Sequence, residues 1–219
     1  MSELKRKMII DCDTGTDDAV AVLGLLLADN IDVIGITSVH GNLSVEEAVQ
    51  NNLSLVNLVG MDVPVYAGCP ESLTSGLFPG RLQNTLCQTI RKEYNGEPVR
   101  IHEPSLGLPT GGRTVEKEHA VSYLVRTLRE AEEPIDVCAV GPLTNIAITL
   151  GKYPQIKPLL KRILIMGGSA VKGNTTPAAE FNIYADPHAA QLVFKSGVPI
   201  VMCPGCDHVR LSYSRGGCR

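Results

Sequence analysis

Tryptophan is absent from this chain, and aromatic residues make up only 4% of it. Aromatic platforms on which single-stranded nucleic acid could stack are therefore not expected. Charge of one sign is lacking too: 20 Lys and Arg face 23 Asp and Glu, for a net charge of −3. That balance offers no electrostatic footprint for nucleic acid or an anionic membrane. No apolar run reaches membrane-spanning length, and Met1-Ser2-Glu3-Leu4-Lys5-Arg6-Lys7 lacks the long apolar segment of a signal peptide. There is no internal repeat and no low-complexity stretch. Seven cysteines, an odd number, are scattered through apolar runs such as Asp136-Val137-Cys138-Ala139-Val140. Such usage favours reduced thiols in the cytoplasm over a disulfide framework. What is present is a globular composition, 44% hydrophobic and 20% charged over 219 residues, enough for one large domain with a buried core.

Short β-rich runs alternate with helical patterns. Strands are predicted at Lys7–Cys12, Ile31–Val39, Val63–Tyr66, Ile135–Val140, Arg162–Met166 and Val198–Cys203. Helices are predicted at Asp17–Asp29, Ser44–Val59, Val115–Glu132, Thr144–Lys152 and Pro187–Lys195. Ser44-Val45-Glu46-Glu47 has the form of a capping box, and Asp186-Pro187 places Pro at a first helical position. Near-continuous apolar strands between amphipathic helices predict an α/β fold: an open, mostly parallel, Rossmann-like sheet with helices on both faces. The Gly-, Pro- and Asn-rich stretch Leu73–Arg113, with one helix near Arg81–Glu93, reads as a flap over the ligand crevice.

The chemistry concentrates after the first strand, in Asp11-Cys12-Asp13-Thr14-Gly15-Thr16-Asp17-Asp18. Four aspartates this close repel one another unless something positive binds among them. A hard cation with oxygen ligands would resolve that repulsion. The competing reading is that Asp17 and Asp18 merely cap the next helix and favour its dipole. In an open α/β sheet, ligands bind outside the carboxyl ends of the strands. Further polar groups follow other strands to that edge: His40-Gly41-Asn42, Gly141-Pro142-Leu143-Thr144-Asn145, Gly167-Gly168, Gly173-Asn174 and Glu180-Phe181-Asn182. Asn145 reads as a helix-start hydrogen bonder and Gly167-Gly168 as a tight turn. Glu180 and Asn182, alternating about Phe181, would share one side of an extended segment. Amides and carboxylates without a basic cluster suit a neutral polyhydroxylated ligand such as a sugar.

These motifs, in this order from about Met8 to about Met202, resemble the inosine-uridine-preferring nucleoside hydrolases. The resemblance rests on Asp11-Cys12-Asp13-x-Gly15-x-Asp17-Asp18-Ala19, Gly41-Asn42, Gly141-Pro142-Leu143-Thr144-Asn145, Met166-Gly167-Gly168 and Gly173-Asn174-x-x-Pro177-x-Ala179-Glu180-Phe181-Asn182. It implies calcium-dependent hydrolysis of the N-glycosidic bond of a ribonucleoside to ribose and free base. Asp13 and Asp18 match the calcium-binding carboxylates, and Asp13 also matches the general base for the attacking water. Val140 matches the position whose backbone carbonyl ligates calcium, and Asp11 the aspartate that supports this shell. Asp17, Asn42, Asn174, Glu180 and Asn182 match ribose-binding residues, and Met166 a residue lining the sugar. His102 corresponds to the family's flap histidine, although the usual following Gly is Glu103 here; the alternative is an ordinary loop histidine. The family usually forms homodimers or homotetramers.

The family's chains are longer. The resemblance implies a further calcium-binding aspartate and a histidine near the leaving base beyond this stretch. We expect residues 1–203 to form the hydrolase domain and 204–219 an unstructured tail without family character. Cys203-Pro204-Gly205-Cys206 with His208 and Cys218 could form a redox or zinc element. A shifted reading frame from Pro204 onward, which can restore a family-like segment, is the favoured alternative, and on it Cys206, His208 and Cys218 carry no function. The non-hydrolytic rival is an impaired form that binds ribose or nucleoside without turnover. A haloacid-dehalogenase-type phosphatase would also place Asp-x-Asp after a first strand. It would want Thr or Val where Gly15 stands. An EF-hand loop fails because Thr16 and Val22 occupy its Gly and Glu positions.

Overall fold

A computed structural model describes residues 5–77, 91–94, 97–100 and 102–204. Six strands form one parallel sheet: β1 Arg6–Cys12, β2 Ile31–Ser38, β3 Val65–Ala67, β6 Ile135–Ala139, β7 Leu160–Met166 and β8 Ile200–Cys203. Their order is β3-β2-β1-β6-β7-β8, and every neighbouring pair is parallel. The chain winds outward from β1 in one direction, then returns to β1's other side and winds outward again. The switch point therefore lies between the carboxyl ends of β1 and β6, where such sheets hold ligands. The open α/β architecture read from the sequence is the one observed.

Strand alternation assigns the two faces of the sheet. Ile9, Val137, Ala139, Ile163 and Ile165 pack with α3 (Ala120–Glu130), α4 (Thr144–Lys152) and α6 (Pro187–Phe194). Ile10, Cys12 and Val33 turn the other way, onto α1 (Thr16–Leu26) and α2 (Val45–Val59), and an irregularity in β2 after Val33 brings Ile36 to the same side. Ile9 and Ile10 are both fully buried, and burying each stabilises the fold by about 1.5–3 kcal/mol relative to exposure. At the outer edge, Val201 and Met202 of β8 remain exposed. No helix among the described residues is long and apolar enough to cross a membrane.

Helix ends follow local chemistry. Ser44 and Glu47 form the predicted capping box of α2, with Ser44 Oγ accepting from Glu47 N at 3.3 Å and Glu47 Oε2 accepting from Ser44 N at 3.0 Å. Asp186 caps α6 by accepting from Ala189 N at 3.0 Å. The helix predicted from Val115 starts only at Ala120, because Glu116 N donates to Val65 O at 2.9 Å and bridges to β3. His119 then caps the helix through Nδ1.

The predicted flap holds a hairpin where it is described: β4 (Arg91–Tyr94) pairs antiparallel with β5 (Glu97–Arg100). The helix expected near Arg81–Glu93 is thus corrected over its last three residues, and the rest of it lies outside the described residues. The chain beyond the hairpin lies along α2. Leu106 N donates to Asn51 Oδ1 at 3.0 Å, Ser54 Oγ donates to Leu108 O at 2.9 Å, and Asn57 Nδ2 donates to Pro109 O at 3.0 Å. Asn51, Ser54 and Asn57 recur every three residues on one helix face.

Candidate active site

Asp13 lies just past β1 and is completely buried. Its Oδ2 accepts from the backbone N–H of Asn42, which follows β2. Its Oδ1 is buried and has no hydrogen-bond partner. Two glycines make room for it. A Cβ on Gly41 would collide with Oδ2, and one on Gly141 would stand 2.8 Å from Oδ1. Carboxylate and backbone therefore approach more closely here than any side chain at those positions would permit.

Asp18, at the start of α1, is 7% exposed and accepts from Gly15 N at 3.0 Å and Asn42 Nδ2 at 3.3 Å. The helix-cap reading of Asp18 holds as far as the Gly15 bond goes, but Asn42 ties the same carboxylate to Asp13's loop. Burial, then the neighbouring Asp17 charge, pushes the Asp18 acid up to about 6. Burial and then the Asp18 charge hold Asp13 well above the ordinary carboxylate range. Among the described residues no Lys or Arg forms an ion pair with either of these two buried carboxylates, so their repulsion is not offset there.

Asp11 is buried behind them, with Oδ1 accepting from Thr37 Oγ1 at 2.5 Å and Asn145 Nδ2 at 2.8 Å. Its Oδ2 is the second buried, unpartnered carboxylate oxygen, and burial pushes its acid up to about 6. The backbone N–H of Val140 donates to Asp11 O at 2.9 Å, which places the Val140 carbonyl at the β1–β6 junction. That carbonyl accepts from Asn182 Nδ2 at 2.7 Å and keeps a second lone pair.

These atoms fit a hard cation by their chemistry: a buried, unpaired Asp13 oxygen, the Asp18 carboxylate and a backbone carbonyl are all oxygen donors. No three His, Cys, Asp or Glu side chains among the described residues are arranged to hold a metal. An ion here would take two side chains and one main-chain oxygen, a set that supplies only part of a calcium shell.

The remaining predicted residues divide. Glu180 and Asn182 do share the site, but not on an extended segment. Glu180 is the N-cap of a short helix, α5 (Phe181–Ala185), accepting from Asn182 N at 3.0 Å and Ile183 N at 3.2 Å. Gly168 N also donates to Glu180 Oε2, at 2.9 Å. Asn182 Nδ2 reaches the Met166 carbonyl at 3.1 Å and its sulfur at 3.3 Å, so Met166 is gathered here as well. Asn174 is exposed, and its Oδ1 accepts from Phe181 N at 2.8 Å, which braces the start of α5. Asp17 is exposed beside His102, whose Nδ1 stands 3.6 Å from Asp17 Oδ1 and 3.4 Å from Thr16 N. An Nδ1 that accepts from Thr16 cannot also donate to Asp17, so the two side chains share no hydrogen bond. His102 nonetheless closes over the aspartate loop: a Cβ on Gly15 would strike its ring.

Asn145 is corrected. It caps nothing; it is fully buried and bonds Asp11 Oδ1, Ser38 O at 3.0 Å and, through Oδ1, Cys69 N at 2.8 Å. Thr37, Asn51 and Asn52 were not singled out by the sequence reading. Asn52 Oδ1 accepts from Thr14 Oγ1 at 2.7 Å, and Asn51 Nδ2 donates to Thr14 O at 3.0 Å, which together brace the aspartate loop from α2. The available signal is two adjacent amides on the buried, mostly apolar face of α2. Of the tail, Cys206, His208 and Cys218 lie outside the described residues.

Comparison with known proteins places the chain in a family. The model of the family described as inosine-uridine preferring nucleoside hydrolase matches residues 8–213. The chain belongs to that family. A pyrimidine-specific ribonucleoside hydrolase, RihB of Escherichia coli, is 41% identical over 198 residues, covering 90% of this chain and 59% of the relative. A plant nucleoside hydrolase (PpNRh1 enzyme) superposes with a TM-score of 0.74 at 32% identity, over 91% of this chain and 59% of its own. A purine-preferring ribonucleoside hydrolase from Gardnerella vaginalis does so at 0.74 and 29%, over 91% and 60%. The chain thus spans about three-fifths of the length of these relatives.

Proposed function

We propose that this chain is part of a ribonucleoside N-ribohydrolase, which converts a ribonucleoside and water to ribose and free base. The observation that carries the reading is Asp13: a buried carboxylate with one oxygen fixed by the Asn42 N–H and the other unpaired at the sheet's switch point. In this reading Asp13 Oδ1 takes the proton of the water that attacks the anomeric carbon. The bond to the base breaks as the sugar gains oxocarbenium character. Asp17, Asn42, Asn174, Glu180 and Asn182 bind the ribose hydroxyls, with Met166 along the sugar and His102 above the aspartate loop. Asp11, braced by Thr37 and Asn145, keeps the loop's shape.

The residues that would hold calcium are Asp13, Asp18 and the Val140 carbonyl. A divalent cation bound there offsets the paired carboxylates and makes a nearby water more acidic. The chain's own contribution is orientation: fixed N–H donors and amides around the buried carboxylates, which stabilise developing charge without having to reorganise.

The test is ribose release from inosine, uridine, adenosine and cytidine, with calcium and after chelation. Release that chelation abolishes and calcium restores supports the reading. Calcium-dependent nucleoside binding without release would favour the non-hydrolytic form. Phosphate release from phosphoesters would point instead to the phosphatase chemistry.

A further inference from the structure

A second polar chain runs behind the site through residues that none of the roles above uses. His40, at the end of β2, is 3% exposed, and its Nε2 lies 2.9 Å from Thr144 Oγ1 at the start of α4. Thr144 Oγ1 donates to Asp186 Oδ2 at 2.8 Å. Asp186 is fully buried and also accepts from Leu73 N at 2.8 Å and Ala189 N at 3.0 Å.

Proton bookkeeping along this chain has one solution. A carboxylate only accepts, so the single Thr144 hydroxyl proton points at Asp186. The Thr144 oxygen then faces His40 with lone pairs alone, and His40 Nε2 must carry the ring proton. Burial favours the neutral ring by lowering its pKa to about 4, against the opposing charges of Asp186 and Glu71. His40 immediately precedes Gly41 and Asn42. Its backbone N–H is also fixed, donating to Cys69 O at 3.0 Å. The anchored ring therefore holds the turn that brings the Asn42 N–H to Asp13 Oδ2 and the Asn42 amide to Asp18.

We propose that Thr144 is a positioning residue: it holds His40 as the Nε2–H form against Asp186 and so fixes the Gly41-Asn42 turn on the Asp13 carboxylate. As a statement about catalysis this rests on the hydrolase reading above; as a statement about the turn it does not. Thr144→Val keeps the side chain's shape and removes the hydroxyl, leaving His40 Nε2–H without an acceptor and Asp186 one donor short. Thr144→Ser restores the hydroxyl.

The experiment is nitrogen-15 NMR of the full chain near neutral pH, read at the His40 imidazole and the Asn42 amide, with ribose-release kinetics alongside. Expected are a neutral Nε2–H ring in the wild type and displaced His40 and Asn42 resonances in Thr144→Val. In that variant kcat should fall on the order of tenfold with KM little changed, and Thr144→Ser should recover all three. A charged or Nδ1–H ring in the wild type overturns the relay, and that measurement needs no folded Thr144→Val variant. So do unchanged Asn42 resonance and kcat in Thr144→Val, or a Thr144→Ser variant that recovers neither. Should the wild type release no ribose, the hydrolase reading falls by itself, and the two resonances still decide the relay.

Discussion

Replacing Asn145 with Leu separates the polar role of this residue from its bulk. The two side chains are close in size, and the site is fully buried. Three interactions vanish: Nδ2 to Asp11 Oδ1 at 2.8 Å, Nδ2 to Ser38 O at 3.0 Å, and Cys69 N to Oδ1 at 2.8 Å. A hydrogen bond to a charged acceptor contributes about 1.5–3 kcal/mol, and an abandoned buried N–H such as that of Cys69 costs about 1–3 kcal/mol. Apolar burial of the new side chain returns about 1.5–3 kcal/mol. Asp11 retains its Thr37 bond, so the net loss should be about 1–3 kcal/mol. For a chain of this length that lowers the unfolding midpoint by roughly 2–12 °C. Thermal unfolding followed by circular dichroism, with a urea titration to confirm the free energy, measures it. A variant as stable as the wild type would refute the view that Asn145 is a structural cross-tie between β1, β2 and the Cys69 loop.

Asp13→Asn should lower turnover by about 10²–10⁴-fold, the span of a lost general base, while calorimetry still detects nucleoside binding; wild-type rates would remove Asp13 from that role. Gly41→Ala drives a methyl group into Asp13 Oδ2, and should cost about 1–3 kcal/mol of stability and about 10²-fold in kcat, read by unfolding and ribose release together. The pH dependence of stability has a defined sign at His40. Its folded value, about 4, lies below its ordinary 6.5, so the unfolded chain binds a proton first and stability falls as pH drops through that window, by about 3 kcal/mol in full. Asp11 and Asp18, pushed up by burial, act in the opposite direction. The wild-type minus His40→Gln difference therefore isolates the imidazole, and a difference that is flat between those two values would contradict it.

Much of the fold is legible in the sequence because strands buried on both faces are written as unbroken apolar runs. Met8-Ile9-Ile10 is of this kind and lies inside β1, whereas Ile163-Leu164-Ile165-Met166 lies inside β7 with Ile163 and Ile165 buried and Leu164 and Met166 half-buried. Helix α4, Thr144–Lys152, has the boundaries its pattern predicts. Errors arise where tertiary partners outvote local pattern. Val115–Lys117 continues the helical pattern of α3, yet Glu116 is drawn into a bridge with β3. Glu180-Phe181-Asn182 alternates like a strand, yet the Glu180 carboxylate collects the N–H groups that open α5. The aspartate loop was legible because so many like charges in eight residues demand an explanation. Asn145, Asn51 and Asn52 were not, since a buried amide looks the same in sequence whether it caps a helix or ties two strands together. The relay through His40, Thr144 and Asp186 was hidden by distance, its members being 104 and 42 residues apart.

The row Asn51, Ser54 and Asn57 on α2 has a consequence for how this molecule can vary. The segment it grips, around Leu106 to Pro109, carries leucines that lean on the core while its main-chain polar atoms are read by three side chains from one helix. No strand pairing fastens that grip, so its register is written in side chains instead of in the sheet. Asn51 also holds Thr14 O and belongs to the aspartate loop's frame, but changing Ser54 and Asn57 slides or frees one wall near that loop while β1, β2 and β6 keep every hydrogen bond they share. The molecule thus separates a part that must not change, the frame around Asp13, from a part that can be re-tailored a few residues at a time.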